Sequence, residues 1–155
     1  MSEKYKILES VDEQYVLSIR TRTSISNLPK ELGKAFNTIS EYLIKLGEKP
    51  SDAPFTGYYN MDMEDLDVEI GFPVSKELPG QNIIKSNTIP KGKQAVGIHK
   101  GSYSTLKDAY KDMSDFIIEK GYNYTDVKIA YEFYLNSPME VKEEELLTKI
   151  VFLLK

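Results

Sequence analysis

Among the residues of this chain able to do chemistry, Glu132 stands apart. It lies in Ile129-Ala130-Tyr131-Glu132-Phe133-Tyr134-Leu135, a stretch otherwise apolar and aromatic. A carboxylate in such surroundings loses hydration, and unless donors or a cation compensate its pKa rises. It could then hold a cation or move a proton. Strand alternation sends Ile129, Tyr131, Phe133 and Leu135 to one face and Ala130, Glu132 and Tyr134 to the other. The first set is expected against a helix, leaving Glu132 and Tyr134 on the opposite face. Tyr103, in Gly101-Ser102-Tyr103 just ahead of a helical segment, could meet a ligand at a helix N-terminus. Tyr58 is the fourth candidate. The chain has 11 Tyr, 6 Phe and no Trp, and Tyr pairs a large apolar face with a polar tip suited to binding surfaces.

Other chemistries are excluded by composition. With no Cys and a single His, His99, there are no disulfides, no thiolate nucleophile and no Cys- or His-rich metal centre, so neither a metal nor a cofactor is expected. No phosphate-binding glycine loop, nucleophile elbow or dinucleotide fingerprint is present. His99 is expected to be structural, and Glu140 to Glu145 to form a solvated turn. A net charge of −4 over 155 residues, with no basic cluster, gives nucleic acid little to bind directly. No apolar run reaches a membrane-spanning length, and Met1-Ser2-Glu3-Lys4-Tyr5 opens with charges rather than a signal-peptide core, so no membrane partner and a cytoplasmic location are expected.

The elements that must position these residues form a repeat. Leu32, Ala35, Phe36, Ile39, Leu43 and Leu46 mark one face of a helix entered through Asn27 and Pro29 and ended by Gly47. Leu106, Ala109, Tyr110, Met113 and Ile117 mark a second, beginning after Ser102 or Ser104 and ending at Gly121. The two superpose at an offset of 74. Val16 to Ile19 resembles Ala95 to Ile98 at offset 79, Phe55 to Met61 aligns with Ile129 to Leu135 at 74, and Val68 to Val74 aligns with Thr148 to Leu154 at 80. Tyr58 is thereby the repeat mate of Glu132. The expected fold is a single α+β domain over 1–155, built of duplicated βαββ modules at about 5–74 and 94–155. Residues 75–93 are a linker with at most a short strand near Ile83 and Ile84. Two such modules should pack with pseudo-twofold symmetry as an antiparallel sheet with two main helices and a central ligand cleft into which Tyr58 and Glu132 both point.

These residues resemble the GyrI-like small-molecule-binding family, which includes the effector-binding domains of AraC-type and MerR-type regulators and is built of SHS2 modules. The resemblance rests on Ile98-His99-Lys100-Gly101-Ser102-Tyr103, on Ala130 to Pro138 and on Asp67-Val68-Glu69-Ile70-Gly71-Phe72-Pro73-Val74, and covers nearly the whole chain. It implies a groove for small hydrophobic or cationic ligands, with Glu132 at the position of the acidic residue that multidrug-binding members use. No helix-turn-helix segment precedes Tyr15, so the chain looks like a stand-alone version acting as sensor or sequestering factor. The same resemblance allows a hydrolase of electrophilic xenobiotics, with Glu132 catalytic beside a Tyr, or a protein partner role such as gyrase inhibition.

Overall fold

The computed structural model describes residues 4–125 and 129–155; Met1-Ser2-Glu3, from which the lack of a signal peptide was read, lie outside the described residues. Eight antiparallel strands and two helices divide between two compact units, Asp12–Lys91 and a split unit of Met1–Val11 with Gly92–Lys155.

In the 12–91 unit the strands are β2 (Gln14–Thr23), β3 (Phe55–Tyr58), β4 (Leu66–Pro73) and β5 (Lys85–Ile89), ordered β3-β4-β2-β5. Helix α1 (Leu28–Leu46) starts at Asn27 with Pro29 in its first turn, where a missing N–H costs nothing. It stops at Gly47, whose φ of 71° lets its N–H return to the last turn. Its apolar stripe of Ala35, Ile39 and Leu43 packs with Leu17, Ile19, Val68, Ile70 and Phe72 of the sheet.

The split unit repeats this plan. Strands β1 (Tyr5–Val11), β6 (Gly92–Lys100), β7 (Ala130–Tyr134) and β8 (Leu147–Leu154) are ordered β1-β6-β8-β7. Helix α2 (Leu106–Glu119) follows a 3-10 turn, Tyr103–Thr105, that is capped by the Ser102 hydroxyl accepting the Ser104 N–H. Ala109, Met113 and Ile117, the repeat mates of Ala35, Ile39 and Leu43, pack with Ala95, Ala130, Ile150 and Phe152. Full burial of a side chain such as Met113 or Ile117 stabilises by roughly 1.5–3 kcal/mol, so each helix is fixed mainly by its stripe.

Two strands depart from the sequence expectation. Lys85–Ile89, inside the stretch read as a linker, pairs with β2, with Ser86 opposite Leu17. Tyr5–Val11 pairs with β6, not with the strand that follows it, with Ile7 opposite Ala95. Each βαββ module thus has a fourth strand on the outer side of its first strand, and β1 serves the module farther along the chain.

Pairing also corrects the repeat register. Leu17 lies opposite Phe72 and Ile19 opposite Ile70, while Ala95 lies opposite Phe152 and Gly97 opposite Ile150. The first strands are therefore related by 78 residues, not 79, a slip of one that exchanges the two faces. Similarly, Tyr58 faces Val68 as Tyr134 faces Thr148, and Thr56 faces Ile70 as Glu132 faces Ile150. The repeat mate of Glu132 is Thr56, and that of Tyr58 is Tyr134. This slip of two keeps each residue on its face, so the sequence pattern gives no warning of it.

Candidate functional site

The site lies within the split unit, on the sheet face that α2 covers. Three rows cross the strands β6, β8 and β7 there: Ala95, Phe152 and Ala130; Gly97, Ile150 and Glu132; His99, Thr148 and Tyr134. Ala130, Phe152 and Ile150 belong to the core under α2, which places Glu132 and Tyr134 on the helix side.

This reverses the expected faces, since Tyr131 and Phe133 are the residues turned away from α2. Alternation could not decide, because both faces of β7 are buried: Tyr131 is 1% exposed, Phe133 7% and Glu132 5%. The helix side of β7 instead takes small Ala130 together with a carboxylate and a phenol, and leaves room for a tyrosine descending from the helix.

That tyrosine is Tyr110, at the helix position where the other unit has Phe36. Its hydroxyl donates to Glu132 Oε2 at 2.5 Å, and the Tyr134 hydroxyl donates to Oε1 at 3.0 Å. Both carboxylate oxygens are thus held by phenols, one from α2 and one from the same strand two residues on. The Tyr103 ring meets Tyr134 edge to face at 5.9 Å between centroids and is 38% exposed. Burial, and then the nearby Glu132 charge, push the Tyr103 phenol above its ordinary pKa, so at neutral pH it is uncharged. Glu132, Tyr103 and Tyr134 are brought together. Tyr58 belongs to the core of the 12–91 unit, packed among Val68, Ile70 and Ile39.

The loop ahead of α2 is tied down by polar groups to which the sequence gave no chemistry. Ser102 donates to Glu143 Oε1 at 2.5 Å, drawing in a member of the acidic run Glu140 to Glu145. His99 Nε2 lies 2.9 Å from Thr105 Oγ1 and 3.2 Å from the Ser102 carbonyl. These contacts fix Tyr103 over the edge of the site. Sequence reasoning passed over Tyr110 as a core residue. The usable signal was its hydroxyl: a Tyr where the repeat has Phe, on a buried helix stripe, calls for a polar partner beneath it.

One sheet face thus carries a buried carboxylate clasped by two phenols and edged by an exposed ring. The chain belongs to the family of the GyrI-like small molecule binding domain, whose model matches residues 5–155. No curated protein sequence matches the chain. Among solved structures it resembles EcmrR, at 23% identity. It covers 97% of this chain and 98% of the EcmrR C-terminal domain with a TM-score of 0.79. Against EcmrR in its complex with DNA in the EcmrR-RPo assembly the TM-score is 0.81, and the match takes in 98% of this chain but spans only 58% of that one. A hydrolase encoded by lin2189 of Listeria innocua matches with a TM-score of 0.68 at 13% identity, over 98% of this chain and 92% of that one. SAV2435 bound to tetraphenylphosphonium matches at 0.67 and 11% identity, over 99% and 94%. The α+β fold is that of the EcmrR C-terminal domain. Among the described residues, no helix is long and apolar enough to cross a membrane.

Proposed function

We propose that the chain binds amphipathic, cationic aromatic molecules at the α2 face of its split unit, acting as a sensor or sequestering factor. The observation that carries this reading is Glu132, 5% exposed and hydrogen-bonded on both oxygens by tyrosines. A carboxylate so placed attracts a delocalised cation, and the rings of Tyr103, Tyr110 and Tyr134 add apolar area and cation–π attraction without demanding one ligand shape. The tetraphenylphosphonium complex of the similar SAV2435 is in keeping with such a ligand. Titrating tetraphenylphosphonium and cationic dyes against the wild type and Glu132→Gln is the test. The substitution keeps shape and removes charge, and is expected to weaken binding by about tenfold or more. Equal affinities would remove Glu132 from the anchoring role.

The contact of Tyr110 with Glu132 favours a second reading, a hydrolase in which Glu132 activates water while a phenol polarises the substrate. Likeness to a Listeria innocua hydrolase lends it support. The same two proteins, incubated with a panel of activated electrophiles, separate the readings. Glu132-dependent product establishes turnover, and its absence leaves binding alone.

A further inference from the structure

Two buried side-chain oxygens of the described residues have no hydrogen-bond partner, Tyr5 Oη and Thr148 Oγ1. Tyr5 lies on the outermost strand β1, across two strands from Glu132, with the charges of Lys4 and Asp112 close enough to act on its phenol. Thr148 is different. It is fully buried, at 0% exposure, and sits on the α2 side in the row between His99 and Tyr134. Of its neighbours, His99 directs Nε2 to Thr105 and Ser102, and Tyr134 directs its hydroxyl to Glu132.

An orphaned buried hydroxyl has lost its hydration with nothing in return, a cost that a merely structural position has no reason to bear. The other unit shows the alternative. Val68 holds the equivalent register position, opposite Tyr58 as Thr148 is opposite Tyr134, and is 0% exposed in the core. Valine has the same branched shape without the oxygen. Where this fold needs only packing it uses valine, and beside Glu132 it carries a hydroxyl.

We infer that Thr148 is a second polar contact of the Glu132 site and recognises a neutral hydrogen-bonding oxygen, such as a phenol, ether or carbonyl, carried by the cationic ligand. The inference rests on the binding reading above. Thr148 is the diagonal cross-strand neighbour of Glu132, and such positions lie about 7–8 Å apart, a span within one aromatic ring and its substituent. The hydroxyl can donate or accept, so it selects for an oxygen at that distance from the charge rather than for one compound.

The test is a matched set of three cations, tetraphenylphosphonium and its mono(4-hydroxyphenyl) and mono(3-hydroxyphenyl) analogues, each of which differs from the parent by one oxygen. The wild type is expected to prefer at least one hydroxylated cation by about two- to tenfold, the range of one net hydrogen bond. Thr148→Val should bring that ratio to about one, and Thr148→Ser should restore it. Glu132→Gln should weaken all three cations. A wild type without preference, or a preference that survives in Thr148→Val while the variant is folded by circular dichroism, overturns the inference and leaves the Glu132 reading standing. If no cation binds the wild type, the Glu132 reading falls and this inference falls with it.

Discussion

Beneath their helices the two units lay out matching rows and fill them differently. Under α1 the rows read Ile19, Ile70, Thr56 and then Thr21, Val68, Tyr58; under α2 they read Gly97, Ile150, Glu132 and then His99, Thr148, Tyr134. The middle strand carries isoleucine in both first rows. Around it the first unit places Ile19 and the hydroxyl of Thr56, with Val68 in the next row, while the second removes a side chain at Gly97, puts a carboxylate at the Thr56 position and a hydroxyl at the Val68 position. Tyr58 and Tyr134, equivalent in register, differ accordingly: one is 9% exposed in a packed core, the other is half-buried with its hydroxyl on a carboxylate. On the proposed reading, a duplicated fold keeps one copy as scaffold beneath its helix and places polar groups in the other, where a ligand would offset their cost.

Away from the helices the roles invert. Glu69 is 2% exposed and receives hydrogen bonds from Ser18 at 2.6 Å, Tyr59 at 2.6 Å and Asn87 at 2.9 Å. Its register mate in the split unit is Lys149, half-buried with its ammonium 4.6 Å from the Phe133 ring centroid. Three donors, Ser18 on the neighbouring β2, Tyr59 just past the end of β3 and Asn87 on β5, fix this carboxylate as part of the sheet. The comparison breaks most visibly here. Glu69→Ala strands three donors at once and is expected to cost about 3 kcal/mol by urea unfolding, with cation affinity unchanged. A large loss of binding and a small loss of stability would show that Glu69, like Glu132, serves a ligand.

The mirror of the threonine argument has the next largest effect. Val68→Thr buries a further hydroxyl under α1, between Thr21 and Tyr58 in its row, and is expected to lower stability by about 1–3 kcal/mol in the same measurement. A neutral result would mean that this face accommodates hydroxyls freely, and the contrast between the rows would lose its force.

Smallest is a charge effect at the edge of the first unit. Arg20 forks onto Asp67 at 2.6 and 2.8 Å while its guanidinium stacks 3.7 Å above the Tyr59 ring. The hydrogen bond from Arg20 holds the Asp67 carboxyl below its ordinary pKa against a lesser opposing effect of burial. A carboxyl whose folded pKa is lowered adds stability above its unfolded pKa and loses it as pH falls through the folded one. Asp67→Asn should therefore lower stability by less than about 1 kcal/mol near pH 7, where the pair is partly exposed, and by progressively less below the ordinary aspartate range. An unchanged gap between the two proteins at about pH 2 would dissociate the pair from acid sensitivity.

The sequence discloses the helices almost to the residue, because Asn27, Pro29, Gly47 and Gly121 punctuate stripes whose spacing only a helix satisfies. Six strands are legible for a similar reason. β5 is not, since Lys85-Ser86-Asn87-Thr88 is a polar edge with one face in solvent, and its strand character comes wholly from pairing with β2. Glu132, Tyr103 and Tyr134 are legible as a polar and aromatic exception, but their face is not, because alternation carries no information when both sides are buried. Tyr110 and Thr148 escape for opposite reasons: one looks like core at its helical position, the other like any strand threonine, and each acquires meaning only from what lies across the strand.

The pairing of β1 with β6 has a consequence in time. When synthesis reaches residue 91, the 12–91 unit has all of its chain, whereas Tyr5–Val11 was made first and its partner strand begins only at Gly92. Tyr5–Val11 is thus obliged to wait until Gly92–Lys100 has been made, with Tyr5 and Ile7 unburied, a pairing of long sequence separation that is slow by its nature. A lesion in Tyr5–Val11 would be felt in the split unit, and hence in the rows beneath α2, rather than in the segment that immediately follows it.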